Sequence, residues 1–235
     1  MHRSLRFDVL AVVLLIALSG CISTAERQAP IPPKASIVIL TPGHPDKLIF
    51  ANYADAKTFI PFYGFGKQMQ AMSTEPIMNS ELAARGFRVQ EQLQDALVRD
   101  IRSKSIDARA VQIARAAEFI PSALKRSELP AVQADWAVID ARITGYGLLA
   151  EISGEFRPFV CVIARMIDAK TKQVLYEKRF AYNYGGAKVV RISFDPVDKW
   201  PTIEAVKNDL PGVEAAIGRG ISKITDLIAA DLAAK

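Results

Sequence analysis

The chain has 235 residues, 50% of them hydrophobic, and a formal charge of +5 from 30 Lys and Arg against 25 Asp and Glu. Basic and acidic residues are interleaved, as in Glu177-Lys178-Arg179, which argues against the clustered basic face of a nucleic-acid binder. Two cysteines and two histidines are too few for a disulfide framework or a multi-ligand zinc site.

The first segment is basic (His2, Arg3, Arg6), then apolar from Val9 to Leu18, then small up to Cys21. That order is the architecture of a secretory signal peptide. As a helix the ten apolar residues would span roughly 15 Å at ~1.5 Å per residue, half of a hydrocarbon core about 30 Å thick. The run is therefore too short for a permanent span. Leu18-Ser19-Gly20-Cys21 resembles the lipobox of bacterial lipoproteins. The resemblance implies that residues 1–20 are removed and that Cys21 is acylated, palmitate included, as the first residue of the mature chain. It implies a membrane anchor made of acyl chains. Ile22 stands where an aspartate favours inner-membrane retention in enteric-type bacteria, which implies the outer membrane, on its periplasmic face. Loss of Arg3, Arg6 and Asp8 with the leader lowers the formal charge from +5 to +4.

Residues 22–35 are polar and proline-rich and read as a tether, so the lipidated tether is 21–35 and a single periplasmic globular domain is expected over 36–235. Ser36 to Leu40 is a candidate strand, ended by Thr41-Pro42-Gly43. Residues 44–79 hold no period, although Phe50, Tyr53, Phe59, Phe62, Tyr63 and Phe65 crowd into them. Leu93, Leu97, Val98 and Ile101 share one helical face, predicting an amphipathic helix near 88–104. A short strand is expected at Asp107 to Val111, a helical turn at Ala114 to Phe119, and a surface connection at Ser122 to Pro130.

Period-two alternation from Trp136 to Ile143 predicts a strand that loosens at Gly145-Tyr146-Gly147. Phe159 to Asp168 and Gln173 to Tyr184 form a predicted hairpin, with the Asp168 side chain bonding the turn backbone. Val189 to Phe194 is a further candidate strand. Thr202 to Leu210 is a short helix expected to stop at Pro211. Val213, Ile217, Ile221, Ile224, Ile228 and Leu232 mark a C-terminal helix near 213–232, in which Gly218 and Gly220 permit close approach to the sheet. The expected class is α/β (α+β): a mixed or antiparallel sheet of about four to five strands packed by these two helices.

Ala164-Arg165-Met166-Ile167-Asp168-Ala169-Lys170-Thr171-Lys172-Gln173-Val174-Leu175, with Asp140 to Ile143 before it, resembles a hairpin of periplasmic lipoprotein domains. These are the curli-secretion lipoproteins and the activators of peptidoglycan synthases. Their turn often reads Asp-x-x-Thr-Gly. Here Lys172 takes the glycine place, where a left-handed conformation is strained.

No catalytic set emerges. His44 lies between Pro42-Gly43 and Pro45, with no nucleophile motif in the chain. Gly64-Phe65-Gly66-Lys67 lacks the spacing and the Ser or Thr of a phosphate loop. Glu151 and Glu155 are candidates to pair across a loop, as glycosidases require, and a solvated turn is the simpler account of them. Cys161, in Phe159-Val160-Cys161-Val162-Ile163, reads as a core thiol. No cofactor and no metal are expected. Phe62, Tyr63 and Phe65 are the candidate partner-binding residues, since aromatics dominate interface hot spots. The expected function is a non-enzymatic assembly, recruitment or regulatory component of an envelope complex. It would be held by the membrane and by an envelope protein partner, with a homo-oligomer compatible. The alternative is an auxiliary lipoprotein of a lipid or ABC-type transport system that binds lipid or a channel component.

Overall fold

Alternation of apolar residues with a buried second face builds the central strands. A computed structural model describes residues 31–32, 35–52, 76–132, 136–150, 155–183 and 188–234. The strands are β1 (Ser36–Leu40), β2 (Ile49–Asn52), β3 (Asp107–Val111), β4 (Ala137–Ala150), β5 (Phe156–Asp168), β6 (Val174–Tyr182) and β7 (Val190–Ile192). The helices are α1 (Pro76–Ala84), α2 (Val89–Ser103), α3 (Ile203–Asn208) and α4 (Leu210–Ala233). The seven strands make one mixed sheet in the order β3-β1-β4-β5-β6-β7, with β2 also paired to β4. β1 and β2 lie end to end along the same side of the long β4, both parallel to it. β4, β5 and β6 form an antiparallel meander.

The class is the one expected, but the sheet exceeds the expected four to five strands. β7 lies within the expected strand Val189 to Phe194, and the unexpected strand is β2, of only four residues. Such a strand is defined by parallel pairing to a neighbour, which leaves little local alternation to read. β4 also runs on past Gly145-Tyr146-Gly147, where a loosening was expected. A register shift between Ile143 and Gly145 absorbs the break as a bulge. A β-carbon on Gly147 would sit 2.0 Å from the Ile49 carbonyl oxygen, so this glycine lets β2 close onto β4.

One face of the sheet is covered by helices. Leu93, Leu97 and Ile101 of α2 are 0% exposed, as are Val213, Ile217, Ile224 and Ile228 of α4. They pack on Ile37, Ile39, Ile139, Val162 and Phe180 in one core. The helices are joined by Arg85 with Glu214 (2.6 Å) and Lys104 with Asp226 (3.2 Å) at their rims, and by the buried Thr225 hydroxyl donating to Asp100 (2.5 Å). Gly220 faces Tyr182, where a β-carbon would meet the ring at 2.7 Å; Gly218 meets only Gln92 at 3.7 Å. Close approach to the sheet therefore needs Gly220 alone.

Pro211 does not stop a helix; it lies in the first turn of α4, where its missing N–H is not needed. Asp209 makes the break instead, accepting from Gly212 N (3.1 Å) as the cap of α4. Ala114 to Phe119 is not helical. Its backbone is used elsewhere: Glu118 N donates to His44 O (3.2 Å). At the other end, Ile31 already packs against the core and Ala35 is buried, so the chain is docked before β1 begins.

The β5–β6 turn forms as its sequence dictates. Asp168 Oδ1 accepts from Lys170 N (2.9 Å) and Thr171 N (2.6 Å). Lys172 sits at φ 59°, the left-handed region. Lys172→Gly is expected to stabilise the protein by roughly 0.5–1 kcal/mol, the relieved strain less the added freedom of the unfolded chain. Denaturant unfolding checks this; a loss of stability would contradict it.

Candidate functional site

Cys21, Glu151, the Gly64–Lys67 stretch and the aromatics Phe62, Tyr63 and Phe65 lie outside the described residues. Phe50, from the same aromatic stretch, is in β2 and 8% exposed, with its ring tilted against Phe156 at 5.4 Å between ring centroids. Cys161 is 2% exposed, and burial pushes its thiol up to about 12. Almost no thiolate exists at neutral pH, so the group is inert packing. With Cys21 acylated, a thiol reagent is expected to find no reactive cysteine in the native protein and one after denaturation. Fast labelling of native Cys161 would contradict this.

Glu155 is an ion-paired carboxylate. It accepts from Arg157 Nη2 (3.2 Å) and Lys199 Nζ (3.4 Å). The Arg157 hydrogen bond foremost, then that of Lys199, holds its carboxyl below the usual range. A group so held stays ionised near neutrality, which does not suit the acid partner of a glycosidase pair. His44 is a half-buried loop residue with Nδ1 2.9 Å from Pro45 O. Among the described residues no group of three His, Cys, Asp or Glu is placed to hold a metal ion.

The densest chemistry lies on the sheet face opposite the helices, where the sequence reading had assigned no site. There Val38, Leu40 and Val138 are covered by Ile113, Leu124, Leu129 and Val132 of the irregular segment between β3 and β4. Beside this apolar patch Asp140 is 0% exposed. Arg115, from the covering segment, donates Nη1 to its Oδ1 at 2.6 Å. Arg165, opposite it on β5, donates Nη2 to Oδ2 at 2.8 Å, and Leu124 N donates to the same oxygen at 3.1 Å. Both arginines also hold the covering segment by its carbonyls: Arg115 Nη2 reaches Ser122 O and Arg165 Nη2 reaches Leu124 O, each at 2.6 Å. Arg115 lies against Gly43, where a β-carbon would meet Nη2 at 2.7 Å.

The ladder register extends the cluster. Asp140, Arg165 and Glu177 form one row across β4, β5 and β6, and Arg142, Ile163 and Arg179 form the next on that face. Arg142 is half-buried with its Nε shut off from solvent and without an acceptor among the described residues. Desolvation lowers its basicity most; the charges of Asp140 and Glu177 oppose that, and those of Arg165 and Arg115 add to it. The signal in the sequence was Asp140 and Arg142 two apart in the otherwise apolar run Ala137 to Ile143. Alternation alone reads such residues as a solvated face.

A second buried acid closes the far end of the sheet. Asp198, 2% exposed, pairs with the Arg219 guanidinium of α4, and Tyr182 Oη donates to it at 3.3 Å while accepting from Asp195 N at 2.8 Å.

No protein-family model matches the chain, and no curated protein matches it. Among solved structures it is similar to a protein of the DUF330 family from Xanthomonas campestris, at 11% identity over 88% of this chain and 89% of that one, with a TM-score of 0.43. It is also similar to PelC from Paraburkholderia phytofirmans, solved as a dodecamer, at 11% identity over 85% and 92% of the two chains and a TM-score of 0.38. The lipoprotein GNA1162 from Neisseria meningitidis matches at 14% identity over 65% and 88%, with a TM-score of 0.24. At these identities and TM-scores the likenesses carry no argument about activity, partner or assembly.

The chemistry of these clusters is that of fixed charge. Asp140, Asp198 and Glu155 are each held by cations. Arg142 differs from Arg115 and Arg165 in having no hydrogen-bonded carboxylate of its own among the described residues.

Proposed function

We propose that the protein is an outer-membrane lipoprotein that faces the periplasm and works without catalysis, recruiting or assembling a protein partner of an envelope complex. The observation that carries this is Leu18-Ser19-Gly20-Cys21 standing directly after a basic start and an apolar run too short to span a bilayer. Two or more acyl chains at Cys21 would give stable anchoring, since each buried methylene contributes about 0.8 kcal/mol and one chain alone binds only marginally. The charge clusters support the non-catalytic part, because their carboxylates are committed to cations and to holding segments of the chain.

Crosslinking in intact cells followed by purification from the envelope tests the reading. One protein recovered in a fixed ratio, and lost when Phe62, Tyr63 and Phe65 are replaced by Ser, is the expected result. Recovery of lipid in place of any protein would contradict it and favour a transport-linked role.

A further inference from the structure

The charge cluster opposite the helices has an uneven composition. Asp140 accepts three hydrogen bonds, two from guanidinium groups and one from Leu124 N. Its acceptor capacity is thereby nearly filled, and both arginines that bind it are among the more buried charges, with side chains 8% and 14% exposed. The third arginine of the cluster, Arg142, sits one row along, and its Nε is buried without a hydrogen-bond partner among the described residues. The second acid of the cluster, Glu177, is two strands away from Asp140 in the same row as Arg165, not in the row of Arg142. Arg179 of β6 stands in the row of Arg142 through Ile163, so four guanidinium groups of this part of the fold stand against two carboxylates, an excess of positive charge.

A guanidinium that has lost part of its hydration, with a fork of donors and no acceptor, is costly unless something supplies the oxygens. Its rigid planar fork matches two oxygens of one carboxylate or phosphate group. The neighbouring Arg115 and Arg165 repel it but would attract the same anion. The ion pairs of Asp140 fix the surroundings, so little ordering remains to oppose binding.

We propose that Arg142, flanked by Arg115 and Arg165, is the recognition residue of a site for a single oxyanion group, a carboxylate or a phosphate. The site lies on the sheet face away from the helices and goes beyond the anchoring and assembly role. Arg142 is the ligand-binding fork; Arg115 and Arg165 supply field and hold the frame through Asp140.

Thermal unfolding of the purified full chain in neutral detergent, at constant ionic strength, tests this. The probes are potassium phosphate and potassium acetate, each against potassium chloride. Binding to the folded state alone raises the unfolding temperature with the logarithm of anion concentration. The expected result is a saturable rise of several degrees with phosphate, acetate or both, absent with chloride and abolished in Arg142→Gln. A response to phosphate alone assigns a phosphoryl group; a response to acetate alone assigns a carboxylate. Arg142→Lys is expected to recover part of the rise, because it restores the charge without the fork. Equal rises in chloride, no rise with either probe, or a rise that survives in Arg142→Gln would overturn the proposal. If Arg142→Gln fails to fold, isothermal titration of the parent with phosphate and acetate decides, and absence of a saturable heat with both overturns it.

Discussion

Asp140→Ala is expected to lower the stability of the domain by about 3–5 kcal/mol, the usual loss when one partner of a buried ion pair is removed. Asp140 is 0% exposed and answers two guanidinium groups and one backbone N–H. Without it Arg115 and Arg165 keep their desolvation cost and lose their counter-charge. The covering segment between β3 and β4 loosens too, since those arginines also hold Ser122 O and Leu124 O. For a domain of this size the midpoint should fall by on the order of 10 °C, at about 2–4 °C for each kcal/mol. Replacing Asp140, Arg115 and Arg165 together by Leu, Met and Met should be far less harmful than Asp140→Ala alone, because no charge is then stranded. Denaturant unfolding of both variants is the measurement. A loss under about 1 kcal/mol for Asp140→Ala would mean that the cluster is solvated in solution.

Cys21→Ala is expected to move the protein almost entirely from the membrane to the soluble periplasm. With the thiol gone there is no acyl chain, and the described residues include no helix long and apolar enough to cross a membrane. Washed membranes and the periplasmic fraction, compared by blotting, give the readout. If the variant keeps its leader, its larger size will show that, and it will stay membrane-bound for that reason. The companion experiment places residues 22–235 behind a leader that is cleaved without lipidation. That form should be soluble, and finding it tightly membrane-bound would contradict attachment through Cys21.

Helices α2 and α4 and the meander were legible because each carries its own period. The stripe from Val213 to Leu232 is buried throughout, and Asp168 makes the turn bonds its residue type suggests. Elements lacking a local period were not legible. β2 is fixed by pairing with Gly147 to Ala150, almost a hundred residues away in sequence. α1 is tied to the entrance of β2 through Asn79, whose side chain bonds both polar groups of the Leu48 backbone. Pro211 was misread because the break depends on the Asp209 cap, a three-dimensional arrangement. The charge cluster was hidden for a related reason. Asp140 and Arg142 occupy the alternate positions of a strand, and only the covering segment turns that polar face into a buried one. The proposed lipobox is a local chemical signal and lies outside the described residues.

The mass of the N-terminal peptide of the protein purified from its native membrane tests attachment through Cys21 most directly. The peptide is predicted to begin at Cys21 and to exceed its unmodified mass by a diacylglyceryl group, with or without a third acyl chain. A peptide that begins at another residue, or a Cys21 that carries a free thiol, would contradict both the anchor and the location built on it.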